Sequence, residues 1–295
     1  MRRKVLLPGA TGQLGYEVRR LHAESRAPFD LVPIGREALD LTASGSVERV
    51  LGALDFDTLV NCAAWTRVDD AEDDPGSAFA VNAHAVQAMA RLCAARRARL
   101  IHVSTDYVFG GDLGRRRPLD EDDPTAPVNA YGRSKAAGET LARAEAGDVV
   151  ILRVAALFGV AGAGGRGGNF VETVIRAARA REALRVVDDQ TVSPTAAADV
   201  ARVIVRMVTD GCAPGLYHVV NTGSATWFEF AREILRRARV DARVSPCASA
   251  EYPTRAARPR YSALDNSKVS AAWGALPPWQ DALDRYLHAR KHRDE

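Results

Sequence analysis

The chain has 295 residues, 47% hydrophobic and 26% charged, enough to bury a large core and typical of a soluble globular protein of enzyme size. Lys+Arg at 40 nearly balances Asp+Glu at 37, and the net charge of +3 leaves no electrostatic footprint for nucleic acid. No apolar run reaches the roughly 18 residues of a membrane span, and the basic start runs into a strand and a glycine loop without a signal-peptide core.

Arg115-Arg116-Arg117 and the tail around Arg290-Lys291 read as solvated loop and terminus. Cys62, Cys93, Cys212 and Cys247 lie far apart without a CxxC pair. Cys62 and Cys93 sit in apolar contexts and read as buried thiols. A reducing cytoplasm without structural zinc is the expected setting.

Val5-Leu6-Leu7 reads as a short strand running into Gly9-Ala10-Thr11-Gly12-Gln13-Leu14-Gly15, and Leu14, Val18 and Leu21 then recur with helical period. Glycines between strand and helix allow a tight turn and let the backbone approach a pyrophosphate at the helix N-terminus. Gly9, Thr11, Gly12, Gln13, Leu14 and Gly15 are therefore expected around a dinucleotide. The second strand, Leu31 to Ile34, ends at Gly35-Arg36. NAD-binding folds often carry a carboxylate near here for the ribose 2′-hydroxyl, whereas an arginine pairs with a 2′-phosphate. The expectation is NADP(H), with Glu37 leaving NAD(H) open, and with Asp40 and Leu41 bordering the adenine.

Ser44 or Ser46 is expected to cap a helix reaching Leu54, and Thr58 to Asn61 is a third strand with Cys62, Ala63 and Ala64 as small residues at its end. Pro75 to Arg96 reads as one long amphipathic helix. Arg99 to Val103 is a fourth strand, ending in Ser104-Thr105-Asp106-Tyr107. A helix over Asn129 to Arg143 and a fifth strand over Asp148 to Val154 follow. Strands alternating with helices predict an α/β fold, a Rossmann-type doubly wound parallel sheet whose ligands lie beyond the C-terminal strand ends.

Tyr131 and Lys135 stand four residues apart on one face of the predicted helix. A free tyrosine, with a pKa of about 10, is a poor acid near neutrality. An adjacent ammonium favours the phenolate and lowers that value. Tyr131 is then expected to protonate a carbonyl oxygen while a hydride arrives at its carbon. The Thr105 hydroxyl would be a second donor to the growing charge.

In the second half, Gly159 to Gly168 reads as a flexible glycine-rich loop. Helices are predicted from Asn169-Phe170 to Ala180, over Thr195 to Val208 and over Thr226 to Arg237, with Thr226 and Glu229 as a capping box. Leu184 to Val187 and Leu216 to Val220 read as strands. The expected organisation is a dinucleotide-binding domain over 1–159 and a smaller C-terminal α/β substrate domain mainly over 160–295, with some segments returning to the sheet. The site would lie in the cleft between them.

Glycine loop, Asn-x-Ala-Ala, Ser-Thr and Tyr-x-x-x-Lys in this order resemble the extended short-chain dehydrogenase/reductases. Asn61-Cys-Ala-Ala-Trp-Thr-Arg-Val-Asp69-Asp-Ala-Glu72, Ser104-Thr-Asp-Tyr-Val-Phe-Gly-Gly111 and Tyr131-Gly-Arg-Ser-Lys-Ala-Ala-Gly-Glu139 are similar to strings of the dTDP-4-dehydrorhamnose reductases. So are Gly168-Asn-Phe170, Val187-Asp-Asp-Gln190 with Ser193-Pro-Thr195, and Arg258-Pro-x-x-Ser-x-Leu-Asp265.

The resemblance implies NADPH-dependent reduction of the C4 keto group of a dTDP-4-keto-6-deoxyhexose, first of all dTDP-4-dehydro-L-rhamnose to dTDP-L-rhamnose. It implies Thr105, Tyr131 and Lys135 as catalytic residues, with Lys135 also on the nicotinamide ribose. Cys62, Ala63, Ala64 and Thr66 would touch the cofactor. Val68, Asp106, Tyr107, Ala156, Asn169 and Arg258 would line the substrate, Arg258 on its diphosphate; Arg260 stands where the family fixes no residue. Some members form metal-bridged dimers; no ligand set is assigned here, and Glu17 is the residue to inspect in a homodimer.

Two departures concern the sugar. Trp65 replaces a usual Tyr, and Ala156 replaces a frequent Trp, which leaves a differently shaped pocket. A 4-ketoreductase for another dTDP-deoxysugar is thus one alternative. A non-catalytic nucleotide-binding regulatory subunit is another, against which the intact Thr105, Tyr131 and Lys135 argue. A dehydratase would be expected to carry an acidic pair after the threonine, and Thr105 is followed by Asp106-Tyr107.

Overall fold

The structure, a computed structural model, describes residues 2–161, 168–180 and 183–294. The first strand, β1 (Arg3–Pro8), is apolar on both faces: Val5 and Leu7 enter one core and Leu6 the opposite one. Such a strand belongs inside a sheet covered by helices on both sides. The chain continues through α1 (Gln13–Ser25), β2 (Phe29–Ile34), α2 (Ser46–Leu51) and β3 (Thr58–Asn61). Next come α3 (Asp70–Asp73) and α4 (Pro75–Phe79), which runs through a π turn (Ala80–His84) into α5 (Ala85–Arg96). Then follow β4 (Arg99–Thr105), α6 (Ala130–Glu145) and β5 (Val149–Val154).

After β6 (Leu157–Phe158) come α7 (Phe170–Ala180), β7 (Ala183–Val187), β8 (Thr191–Val192), β9 (Thr195–Ala196), α8 (Ala197–Asp210) and β10 (Gly215–His218). The chain closes with β11 (Ala225–Thr226), α9 (Trp227–Ala238), β12 (Arg243–Cys247), α10 (Ser267–Trp273) and α11 (Trp279–Asp294).

The main sheet has six parallel strands in the order β10-β5-β4-β3-β1-β2. From β1 the chain first goes to β2 on one side and then crosses to β3 on the other. This reversal opens a crevice at the strand ends between β1 and β3, where such sheets bind ligands. One core holds α1 and α8 against the sheet, and the other holds α2 and α5. A third core gathers Phe158, Phe230, Trp279 and Tyr286 from the second half. Among the described residues, no helix is long and apolar enough to cross a membrane.

Several expectations need correction. Neither serine side chain caps α2: Gly45 precedes it at φ 70°, and the helix stops at Leu51 rather than Leu54. The helix expected over 75–96 is interrupted by the π turn, because α6 approaches it closely. A Cβ on Gly138 would stand 2.0 Å from Asn82 O. Arg115 is not solvated; its guanidinium is largely buried against Asp123. No correction attaches to the domain division, which already had some later segments returning to the sheet: β10 pairs with β5, and α8 packs on α1. The glycine-rich stretch expected as a flexible loop falls largely on residues 162–167, which lie outside the described residues.

Candidate active site

The glycine loop is drawn in tightly. The amides of Gly9 and Ala10 both donate to Ile34 O at the end of β2. Gly9 has φ 77°, and a Cβ there would lie 2.4 Å from Ala63 N. A Cβ on Gly15 would lie 2.2 Å from Gly9 O. These two glycines let β1, α1 and the Cys62-Ala63-Ala64 segment meet. Gly12 has another character, since a Cβ there would meet nothing closer than Gly9 O at 3.4 Å. Gly12 begins α1 without any side-chain cap, which leaves first-turn amides for an anion. Gln13 is buried, and its Oε1 has no partner. An uncapped helix start, an open glycine and an unpaired buried acceptor fit a dinucleotide diphosphate and its carboxamide-bearing end.

Gly35 lies 3.5 Å (as a built Cβ) from Thr11 Cγ2, so the exposed Arg36 stands at the rim of the same loop. Asp40 accepts from the Thr42 amide and hydroxyl, which hold its carboxyl below the usual range, and Leu41 leans on the second core.

Tyr131 and Lys135 are both buried, at 8% and 1% exposure, so they are not a solvated surface pair. α6 begins at Asn129, whose side chain accepts from the Gly132 amide and donates to Ala257 O. Tyr131 meets the Tyr107 ring edge-on at 5.5 Å and packs with Ala71, Ala78, Trp65 and Val68. Burial pushes its phenol up to about 12, with the Thr105 hydroxyl pulling the other way.

Lys135 moves oppositely, down to about 8, because burial disfavours the ammonium. The expected lowering of Tyr131 by the lysine is therefore corrected: desolvation wins, and the tyrosine stays a phenol. Lys135 Nζ instead donates to Val103 O at 2.7 Å and faces His102 Nε2 at 3.3 Å. Cys62 lies close enough to Lys135 to interact electrostatically, and its thiol is pushed up to about 12 by burial.

Thr105 ends β4. Its hydroxyl donates to Asp106 Oδ1 at 3.1 Å and accepts from the Tyr107 amide at 3.2 Å. Asp106 Oδ2 accepts from Ser262 Oγ. Thr66 is exposed at the rim beside Trp65, whose backbone is clamped on both sides by Asn82; Asn82 also donates to Ser134 Oγ on α6.

Three predicted substrate residues are already engaged. Arg258 pairs with Asp69 at 2.7 Å, so the late loop is latched onto the Asn61–Glu72 segment. Asn169 donates to Gly159 O and Tyr286 Oη and accepts from the Glu172 amide, which ties it to the second-half core rather than to Tyr131. Ala156 has φ 41°, a left-handed bend between β5 and β6, and its carbonyl accepts from the Thr195 amide. Glu17 accepts from Arg20 at 2.8 Å. Among the described residues, no group of three or more His, Cys, Asp or Glu is placed to hold a metal.

Sequence reasoning missed His102, Asn82 and Ser262 as parts of this site. A histidine inside the apolar run of β4 was a visible signal, because a buried polar residue is more informative than a buried apolar one.

The profile described as the RmlD substrate binding domain matches residues 3–291. A dTDP-4-dehydrorhamnose reductase of Mycolicibacterium smegmatis is 38% identical over 96% of this chain and 84% of its own length. A dTDP-4-keto-6-deoxy-D-glucose reductase of Streptomyces niveus is 40% identical over 94% of each chain. The crystal structure of a Bacillus anthracis dTDP-4-dehydrorhamnose reductase in complex with NADP superposes with a TM-score of 0.88, at 36% identity, over 98% of this chain and 100% of that one. The chain belongs to the dTDP-4-dehydrorhamnose reductase family, NADP-dependent oxidoreductases of the extended short-chain type.

Proposed function

We propose that this protein uses NADPH to reduce the C4 keto group of dTDP-4-dehydro-L-rhamnose, giving dTDP-L-rhamnose. The observation that carries the reading is the buried Thr105–Tyr131 pair beside an uncapped glycine-loop helix. Gly12 and the first-turn amides of α1, that of Gly15 among them, would hold the cofactor diphosphate in the turn that Gly9 shapes, and Arg36 the 2′-phosphate. When bound, NADPH supplies the hydride. Tyr131, kept protonated by burial, gives its phenolic proton to the C4 oxygen. Thr105, whose hydroxyl proton rests on Asp106 Oδ1 in the free protein, would turn that proton to the same oxygen as its charge grows. Asp106, anchored by Ser262, holds the Thr105 hydroxyl beside Tyr131 until then. Tyr107, Trp65 and Val68 form the apolar wall that keeps water from the reacting carbon.

The test is NADPH oxidation followed by absorbance with enzymatically generated dTDP-4-dehydro-L-rhamnose, and identification of the product. NADPH binding without oxidation would overturn the reading.

A second reading, reduction of another dTDP-4-keto-6-deoxy sugar, is favoured by Ala156. Its small side chain stands at a left-handed bend where the family often has an indole. The Streptomyces niveus relative is named for such a sugar. Parallel assays with several dTDP-4-keto sugars separate the two.

A further inference from the structure

The late loop stands on two feet in the second half. At one foot the Ser249 amide donates to Asp189 Oδ1 at 3.0 Å, and the Gln190 side chain donates to Ser249 Oγ at 3.2 Å. At the other the Thr191 amide donates to Arg260 O, and the Ser262 amide donates back to Thr191 O, both at 2.9 Å. Between the feet the chain leaves the second half and reaches Asp69 and α3 of the first. The Ala256 amide donates to Asp69 Oδ1 at 3.0 Å, and Arg258 Nη2 donates to Asp69 Oδ2 at 2.7 Å. Arg255 donates to Asp70 at 2.9 Å and also to Asp73. Asn129, at the start of α6, donates to Ala257 O at 2.8 Å. Within residues 251–258 only Ala256 is buried. Charge and hydrogen bonds, rather than apolar packing, hold this span in place.

The span lies against the reacting groups. Asp69 follows Val68, which packs with Tyr131, and Asn129 stands two residues before Tyr131. Arg258 and Asp69 are both close enough to Tyr107 to act on its hydroxyl electrostatically. We propose that residues 251–258 form a strap over the site, latched by Asp69, Asp70 and Asp73 and released to admit and discharge the nucleotide sugar. The Arg255 pairs are exposed, and each such pair favours the closed form by no more than about fivefold. The Arg258–Asp69 pair is better covered and is the main hold. A latch of this kind opens often without unfolding what lies beneath it, and the two feet return it to the same place. A diphosphate offers a guanidinium the same forked contact as a carboxylate, so an arriving nucleotide can draw an arginine from its aspartates as it enters. Reclosure then shuts water out of the reduction. The nucleotide's part in this rests on the function proposed above; the latch itself does not.

The test is amide hydrogen exchange on the full-length protein, read at Ala256, whose N–H is held by Asp69 from the other half. Raising NaCl from about 0.05 M to about 0.5 M is expected to speed this exchange about threefold or more. The Ser262 amide, in a foot of the strap, should not respond. Arg255→Ala cuts the bonds to Asp70 and Asp73 and leaves Arg258 on Asp69. It is expected to speed Ala256 exchange by a similar factor at low salt. In the same variant dTDP, used as the probe nucleotide, should dissociate faster in stopped flow by about that factor. Ala256 exchange that ignores both salt and Arg255→Ala would overturn the latch. A loosened Ala256 with dTDP dissociation unchanged would overturn its role as a gate. If dTDP does not bind at all, the proposed function fails together with the gate, and the exchange data still decide the latch.

Discussion

Ser262 Oγ donates to Asp106 Oδ2 at 2.6 Å, which pins the late loop to the end of β4 directly beside Thr105. Burial pushes the Asp106 carboxyl up to about 6, and the Ser262 and Thr105 hydroxyls oppose that rise. The native carboxyl therefore holds its proton to higher pH than the unfolded one, whose value is 3.8. Its contribution to stability is present at low pH and is lost as pH rises from about 4 through 6. Ser262→Ala removes one opposing hydroxyl and is expected to move the Asp106 midpoint upward. In urea unfolding, the stability gap between Ser262→Ala and wild type should widen from pH 4 to pH 7. An equal gap at both ends would show that Ser262 does not tune this carboxyl.

Tyr131→Phe deletes the proposed acid while leaving a ring that packs in the same place. Turnover is expected to fall about 10²- to 10⁴-fold, with NADPH affinity nearly unchanged by fluorescence titration. A variant retaining near wild-type kcat would move the proton donor elsewhere.

The glycine loop separates a folding role from a binding role. In Gly9→Ala the new Cβ meets Ala63 N at 2.4 Å and the backbone sits at φ 77°, so a loss of more than about 2 kcal/mol of stability is expected. In Gly12→Ala the nearest atom is 3.4 Å away. That variant should melt near wild type yet bind NADPH poorly, because the methyl stands where the diphosphate approaches. Thermal unfolding with and without NADPH distinguishes the two.

Arg36→Ala tests cofactor choice. Loss of a charge-assisted contact to a 2′-phosphate should weaken NADPH about tenfold or more and leave NADH nearly unaffected. Equal weakening of both would remove Arg36 from that role.

His218 predicts how the fold fails in acid. Its ring is fully buried, bonded through Nδ1 to Leu119 O and 3.5 Å from an Arg153 nitrogen. Burial, with Arg153, pushes its pKa down to about 3 from 6.5. The unfolded chain therefore takes up this proton first, and stability is lost as pH falls below about 6.5. The slope is about 1.4 kcal/mol per pH unit for such a group. His218→Gln should flatten that slope in unfolding measurements between pH 6.5 and 4.

Much of this was legible in the chain because it is local. The β1–loop–α1 unit and the placement of Tyr131 and Lys135 on one helix follow from short-range periodicity and glycine spacing. The capping box at Thr226 and Glu229 forms as expected, with both its bonds present. What the residues hid is burial and long-range pairing. The titration of Tyr131 depends on how thoroughly α6 is covered, which spacing does not report. The engagement of Arg258 by Asp69 joins segments 189 residues apart. The π turn at Asn82 answers to the approach of Gly138, a tertiary demand that overrides the helical preference of the intervening alanines.

The placement of β10 constrains how this protein could be divided. Its four residues lie between two chain segments that build the third core, yet they close the open side of β5. A fragment ending at residue 159 would present β5 as a bare apolar rim, a template for self-association. It would also lack the α8 cover over Leu14 and Val18. The second half of the chain is thus woven into the first, so neither can be exchanged as a cassette at residue 159. Divergence of this protein has to proceed by substitution within the fold rather than by recombination at that apparent boundary.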